Sequence, residues 1–262
     1  LPEASFKWRY PFVHPGESIT QVFQPIAQLV LAPDCCNTGK IPNDDSRAFE
    51  WDDTKVFDPD RFAGSDRVDS GSRFNYGVEW TGYLTDGGSM DVFLGQSLRF
   101  WNDDDEVRGG SGIDDDLSDL VGRVVVTPSD WLDLSYRFRL DVDDLDMNRQ
   151  DLGLTIGPEE FRANISYVQI EDDVDGGKEE QVGLGVRAKI GEYWTIGAQS
   201  SYDIHDSELL SVGSMVEYQD ECFGVLLDAS YAPESDEEDT SGDFTAMIQF
   251  RFTNLGNIGS SF

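Results

Sequence analysis

The residues with most capacity for chemistry are carboxylates in runs. The stretch EDDVDGGKEE sets Glu171, Asp172, Asp173 and Asp175 close together, an oxygen-rich set of the kind that holds Ca²⁺ or Mg²⁺. It resembles the first half of an EF-hand loop, yet the twelfth position counted from Glu171 is Val182, where that loop needs a glutamate. Asp172, Asp173 and Asp175 are therefore metal candidates by residue type only, and a solvated acidic surface is the favoured reading. The two histidines, His14 and His205, have no companions at ligand spacing. Neither a G-x-S-x-G elbow nor a P-loop occurs, and no acid–base pair stands out among so many carboxylates. The sequence reads as non-enzymatic, with no catalytic residue and no cofactor.

Charge narrows the partners. The 262 residues hold 52 Asp and Glu against 19 Lys and Arg, a net charge of −33. A nucleic-acid surface needs the opposite balance, so nucleic acid is excluded as a partner. Acidity alone also fits a soluble β-protein from a salty habitat. An aromatic content of 12% argues against a disordered chain.

The elements that must position these residues are strands. In RFNYGVEWTGY, Phe74, Tyr76, Val78 and Trp80 alternate with Asn75, Gly77, Glu79 and Thr81. In WLDLSYRFRLD, Leu132, Leu134, Tyr136, Phe138 and Leu140 alternate with Asp133, Ser135, Arg137, Arg139 and Asp141. Near the end, Phe244, Ala246, Ile248, Phe250 and Phe252 share one face. This period of two predicts about 13 strands, over 4–13, 19–32, 73–85, 89–101, 118–127, 131–141, 150–157, 160–170, 181–190, 193–204, 208–218, 222–232 and 243–253. Most are about 10 residues long, enough to cross a bilayer at a tilt.

A soluble acidic protein has little use for so greasy a strand as 243–253, since such edges aggregate. A membrane barrel turns that face to lipid, and its mean hydropathy need not be high because only alternate residues meet lipid. Connections support the same reading. Short ones (86–88, 128–130, 158–159, 191–192, 219–221) alternate with long ones (34–72, 102–117, 142–149, 171–180, 233–242), the link at 205–207 being shorter. Short turns on one side and long loops on the other mark an outer-membrane barrel. More than half of the acids lie in the long loops, which face outward in such barrels, so the last strand runs inward and the C-terminus is periplasmic. The fold expected is all-β, an antiparallel transmembrane barrel. Trp8 with Tyr10, Trp80 with Tyr83, and Tyr193 with Trp194 suit interfacial girdles. An odd strand count and the lack of a signal pattern at LPEASFKWRY suggest the back portion of a longer barrel.

Several stretches are more specific than alternation. TQVFQPIAQLVLAPD, IPNDDSRAFEWDDTKVFDPDRFAGSDRVDSGSRFNYGVEWTGY, FLGQSLRF and DLVGRVVVTPSDWLDLSYRFRLD together resemble the C-terminal barrel region of the LPS-assembly protein LptD family (also called OstA or Imp), in its alphaproteobacterial style. The resemblance runs from about Trp8 to Leu255. It implies a barrel of about 26 strands, of which residues 1–262 would be the C-terminal half, behind a periplasmic jellyroll and first strands absent here. It implies insertion of lipopolysaccharide into the outer leaflet of the outer membrane through a seam between first and last strands. The partners implied are an LptE-like lipoprotein plug, an LptA-like periplasmic bridge and the barrel assembly machinery. A porin-like channel or receptor is the alternative.

The resemblance also assigns residues. Cys222, in YQDECFGV, sits where relatives carry two adjacent cysteines that pair with the N-terminal region; Glu221 replaces the first, leaving one disulfide candidate. Cys35 and Cys36 lie in an outer loop, about 25–30 Å of membrane away from Cys222, and are left to pair together, with another loop, or not at all. Thr245, Met247, Phe250 and Phe252 would form the last seam strand and assembly signal. Arg99, Arg123, Arg137, Arg139, Arg187 and Lys189 face the lumen, where they would touch lipid phosphates or sugars; a ladder pairing with Asp133, Asp141 and other acids is the favoured reading.

Overall fold

The computed structural model describes residues 2–33, 50–62, 68–100, 111–171, 177–233 and 242–252, and the backbone alone over 256–261. The described residues hold strands and no helix. These are β1 (Ala4–Arg9), β2 (Phe12–His14), β3 (Ile19–Leu31), β4 (Arg73–Leu84), β5 (Ser89–Arg99), β6 (Leu120–Ser129), β7 (Leu132–Leu140) and β8 (Met147–Ile156). They continue as β9 (Phe161–Ile170), β10 (Glu179–Ile190), β11 (Trp194–Asp203), β12 (Glu208–Gln219), β13 (Phe223–Ala232), β14 (Asp243–Phe252) and β15 (Gly256–Ser261).

Two compact units divide the chain. The first is Leu1–Pro128, Ser135–Asp151 and Gln169–Lys178; the second is Ser129–Leu134, Leu152–Val168 and Glu179–Phe262. In the first unit β3, β4, β5 and β6 pair antiparallel in chain order, and β1 and β2 both pair with β3. In the second unit β10 to β15 do the same. Such nearest-neighbour antiparallel pairing is what short turns allow. At one of them Gly157 has φ 113°, and a Cβ there would meet the Phe161 carbonyl oxygen at 2.1 Å. Only glycine fits that turn.

Every expected strand is present, with two corrections. The stretch 4–13 is not one strand but β1 and β2, interrupted at Tyr10 and Pro11, because proline brings no N–H to the ladder. A further strand, β15, follows β14 and pairs with it from Phe252↔Gly256 to Met247↔Ser261. Its sequence, GNIGSS, lacks apolar alternation, so nothing in the pattern announces it. β14 is thus hydrogen-bonded on both sides and is not the last strand. With β1 and β2 as one broken traverse, the strands among the described residues number 14, an even count in place of the odd one expected.

Burial is inverted relative to a water-soluble sheet. On β4, Arg73 and Asn75 are fully buried, while Tyr76 and Val78 on the opposite face are exposed. Phe6, Trp8, Leu184, Val186, Trp194, Ile196, Leu227 and Phe250 are likewise exposed. A soluble protein seldom leaves so continuous an apolar face in water, whereas lipid is its natural solvent. Aromatic rings gather at the short-turn end of the second unit. Trp194 and Tyr218 lie 5.1 Å apart, and Phe223 is 5.4 Å from Phe252 and 6.1 Å from Phe250. Tyr193 belongs to the same group, 6.0 Å from Tyr218.

The long connection before β4 departs from an outer loop. Trp51, Val56 and Phe62 pack with Phe93 of β5, Val121 of β6 and Ile113, forming a buried cluster on the polar face of the sheet. Residues 50–62 and 68–72 therefore fold back over the strands of their own unit.

Candidate functional site

The polar face of the first unit is a matched set of charges under this folded-back segment. Along the strands, Ser5, Gln28, Asn75 and Ser97 join into one rung. Gln28 Nε2 donates to Ser5 Oγ at 3.0 Å, Asn75 Nδ2 to Gln28 Oε1 at 3.0 Å, and Ser97 Oγ to Asn75 Oδ1 at 2.7 Å. Arg61 of the segment closes the rung by donating to Ser97 Oγ at 3.3 Å.

Asp69 is the hub of the segment's second half. Arg61 donates to both of its oxygens, and Arg73 and Arg99 approach to 3.2 and 3.8 Å. All four side chains are buried. Burial alone would push the Asp69 carboxyl up; the Arg61 charge and hydrogen bonds, with Arg73 and Arg99, hold it below its ordinary value. Asp53 is the hub of the first half, with Arg123 at 2.8 Å and Arg137 at 3.4 Å. Arg123 also holds Asp91 at 2.7 Å. Arg139 lies 3.4 Å from Asp119, whose backbone oxygen accepts from Trp51 Nε1 at 2.9 Å. Asp119 is pushed up by burial despite the Asn148 hydrogen bond and Arg139.

Four of the six lumen candidates, Arg99, Arg123, Arg137 and Arg139, thus lie under or beside one segment, Arg137 being exposed. Their partners are Asp69, Asp53, Asp91 and Asp119, acids the spacing did not single out. Local alternation reads only neighbours along a strand, and Asp53 and Asp69 come from the folded-back connection. The signal that marks it is the pairing of Trp51, Val56 and Phe62 with charged residues in WDDTKVFDPDRF, too apolar for a solvated loop. The other two candidates lie in the second unit. Arg187 pairs with Glu217 at 2.9 Å and Lys189 pairs with Glu159. Arg251 also reaches Glu217, at 3.1 Å.

Cys222 is exposed and unbonded in the turn between β12 and β13, where Asp220 Oδ1 accepts the Cys222 and Phe223 N–H groups at 2.8 Å. Those two donors pull the Asp220 carboxyl down. On β14, Thr245 and Met247 pair with Ser230 and Asp228 on the polar face, while Phe250 and Phe252 pair with Val225 and Phe223 on the apolar face. Cys35, Cys36, Asp172, Asp173 and Asp175 lie outside the described residues. Beside them, Glu171 is engaged by Lys178 and Gln169. Among the described residues no three His, Cys, Asp or Glu are grouped to hold a metal ion.

The family model described as LptD: LPS transport system D matches residues 1–194, which include the folded-back segment and its arginines. The LPS-assembly protein LptD of Hahella chejuensis is 24% identical over 254 residues, 94% of this chain and 31% of the relative. That of Thiobacillus denitrificans is 25% identical over 96% of this chain and 34% of the relative. That of Nitrosococcus oceani is 24% identical over 94% and 33%. The chain spans about a third of the length of the curated relatives it matches. With three quarters of its length inside that family match, the chain belongs to the LptD family of LPS transport proteins.

Proposed function

We propose that this chain is part of the wall of an outer-membrane barrel that inserts lipopolysaccharide into the outer leaflet. The observation that carries the reading is the inversion of burial in a chain of this family: lipid-facing aromatics outside, a charged and hydrogen-bonded face within. Residues 1–262 are its C-terminal part, with a periplasmic jellyroll and earlier strands in the whole protein. The polar face gives the sugar portion a wet route, and the apolar face gives acyl chains their solvent. Apart from residues 50–62 and 68–72, the long acidic connections face outward, and the short turns face the periplasm. An LptE-like lipoprotein fits the lumen, an LptA-like bridge delivers the lipid, and the barrel assembly machinery reads the C-terminal strands, Thr245, Met247, Phe250 and Phe252 among them. Cys222, on the short-turn side, forms a disulfide with the N-terminal region; loss of Cys222 then changes the non-reducing mobility of the full-length protein.

Depletion of the full-length protein in its own host tests the reading. Newly made LPS is expected to stall short of the cell surface. Normal surface LPS with a fall in small-solute uptake would replace the reading with a channel.

A further inference from the structure

The polar faces of the two units differ in what they leave accessible. In the first unit, residues 50–62 and 68–72 lie on the strands, and the charges there are met by protein. In the second unit, register sets polar-face residues into rows across the strands. One row is Arg187, Gly197, Met215 and Asp228, and the next holds Gly185, Gln199 and Gly213. Asn164 of β9 reaches over Gly185, where a Cβ would stand 2.3 Å from its Oδ1. Met215 lies over Gly197 in the same way, its Cγ 2.8 Å from a Cβ there. Gln199 lies against Gly213, with Nε2 3.2 Å from a Cβ. These glycines let long side chains lie along the sheet instead of standing up from it.

The result is a shallow groove of about 190 Å³. Its floor is Gly185, Gly197 and the Met215 side chain, and its rim carries the amides of Asn164 and Gln199 and the carboxylate of Asp228. Asn164 and Gln199 are exposed and Asp228 is half-buried, and none of the three meets a partner among the described residues. Arg187, the cation of the groove, already pairs with Glu217 at 2.9 Å. The free groups are therefore two amides, each both donor and acceptor, and one carboxylate acceptor. That set suits a ligand rich in hydroxyls, which donate to Asp228 and exchange hydrogen bonds in both directions with the amides. A phosphate group would meet the Asp228 charge and a cation that is already matched. A protein partner would want aromatic or apolar anchors, and the large apolar side chain that the groove offers on this face is Met215.

We infer that this groove binds the carbohydrate of the transported lipid, with Asn164, Gln199 and Asp228 hydrogen-bonding sugar hydroxyls and Met215 lying under the C–H face of a ring. The inference rests on the function proposed above and adds which stretch of wall meets the sugar and by what chemistry. All of the contacts lie on one face of the sheet and line one groove, so a single ligand reaches them. From β9 to β13 is four strand spacings, about 19 Å, the span of a short oligosaccharide rather than of one ring. The hydrogen bonds replace water on an exposed face, so each adds little. A weak, broad grip of this kind holds a sugar chain without trapping it.

The test measures binding to purified full-length protein, in a detergent without a sugar headgroup, of two probes: the carbohydrate released from the host's LPS by mild acid, and the lipid remainder. The triple variant N164A/Q199A/D228A should bind the carbohydrate about tenfold more weakly and the lipid remainder as wild type does. G185A, whose methyl group pushes the Asn164 amide off the floor, should weaken carbohydrate binding about threefold. Carbohydrate binding by the triple variant equal to that of wild type overturns the inference. So does an equal loss of both probes. A triple variant that keeps the carbohydrate but sheds a co-purifying protein overturns it in favour of a protein-docking face. Wild-type protein that binds LPS but not the free carbohydrate overturns the inference and leaves the proposed function standing. Wild-type protein that binds neither overturns both. Heat-modified gel mobility reports folding; if the triple variant lacks the folded band, Q199A and G185A singly are read in the same way.

Discussion

In the first unit, Arg73, Asn75 and Ser97 lie under residues 50–62 and 68–72 and are almost wholly buried. In the second, Asn164, Gln199 and Asp228 hold the polar side of their strands and meet no partner among the described residues. They line a shallow groove with Gly185, Arg187 and Met215. The apolar sides of the two units are alike. The difference teaches that a polar sheet face has two stable solutions. Left open, its groups are satisfied by water. Covered, each charge needs a protein partner, because a buried unpaired one is costly. Sensitivity to substitution should therefore concentrate in the first unit.

Removing the hub of the covered face should have the largest effect. Asp69→Asn leaves Arg61, Arg73 and Arg99 facing one another, since the first two are fully buried and the third nearly so. Breaking a buried pair from one side costs about 3–5 kcal/mol. The expected outcome is protease cleavage within residues 50–62 or 68–72 and a lower temperature for heat-modified mobility of the full-length protein. Trp51→Ala should come next, at about 3–5 kcal/mol for a fully buried indole. It also strips the Asp119 backbone oxygen of its donor. The same protease assay reads it.

The likeness of the two apolar faces is tested by one charge in each. Val78→Arg and Leu227→Arg both put a guanidinium on an exposed apolar face. Each should cost about 2–4 kcal/mol if it lies near the bilayer midplane. Equal losses of folded, heat-modifiable protein are expected. A tolerant Leu227→Arg would mean that the second unit's apolar face does not meet lipid.

Much of this was legible from residue order. The alternation of Phe74, Tyr76, Val78 and Trp80 with polar neighbours sets the faces of β4, and the same period finds the strands up to β14. Three features escaped because their causes are not periodic. β15 is held by backbone pairing to β14, and GNIGSS has no apolar rhythm to reveal it. The interruption at Pro11 follows from a missing N–H rather than from a change in pattern. The covering of the first unit depends on Asp53 and Asp69 meeting arginines far along the chain, and spacing within a strand carries no record of such a partner. Alternation therefore put the arginines on one face, but it did not name their acids.

Acid should loosen the cover on the first unit. Asp69 is held below 3.8, its ordinary value, so its contribution to stability is present above 3.8 and lost as pH falls through the lower folded-state value. Asp119 works the other way. Its carboxyl is raised, so its contribution is present below 3.8 and fades as pH rises through the raised value. Protease protection of residues 50–62 and 68–72 should fall at the acid end in wild type. In Asp119→Asn the acid-end fall should remain, and any decline above 3.8 should flatten.

The smallest effect belongs to the open face. Glu217 accepts Arg187 at 2.9 Å and Arg251 at 3.1 Å, the nearest counterpart in the second unit to the Asp69 hub. Its partners differ from those of Asp69 in one respect: Arg187 is 58% and Arg251 41% exposed. When Glu217→Gln removes the carboxylate, water takes over both guanidiniums, and the pair is worth only about 0–1 kcal/mol. Heat-modified mobility should be nearly unchanged, and what change there is should shrink further in high salt. A loss comparable to that of Asp69→Asn would mean that something in the whole protein covers this face too, drying Glu217 as residues 50–62 and 68–72 dry Asp69.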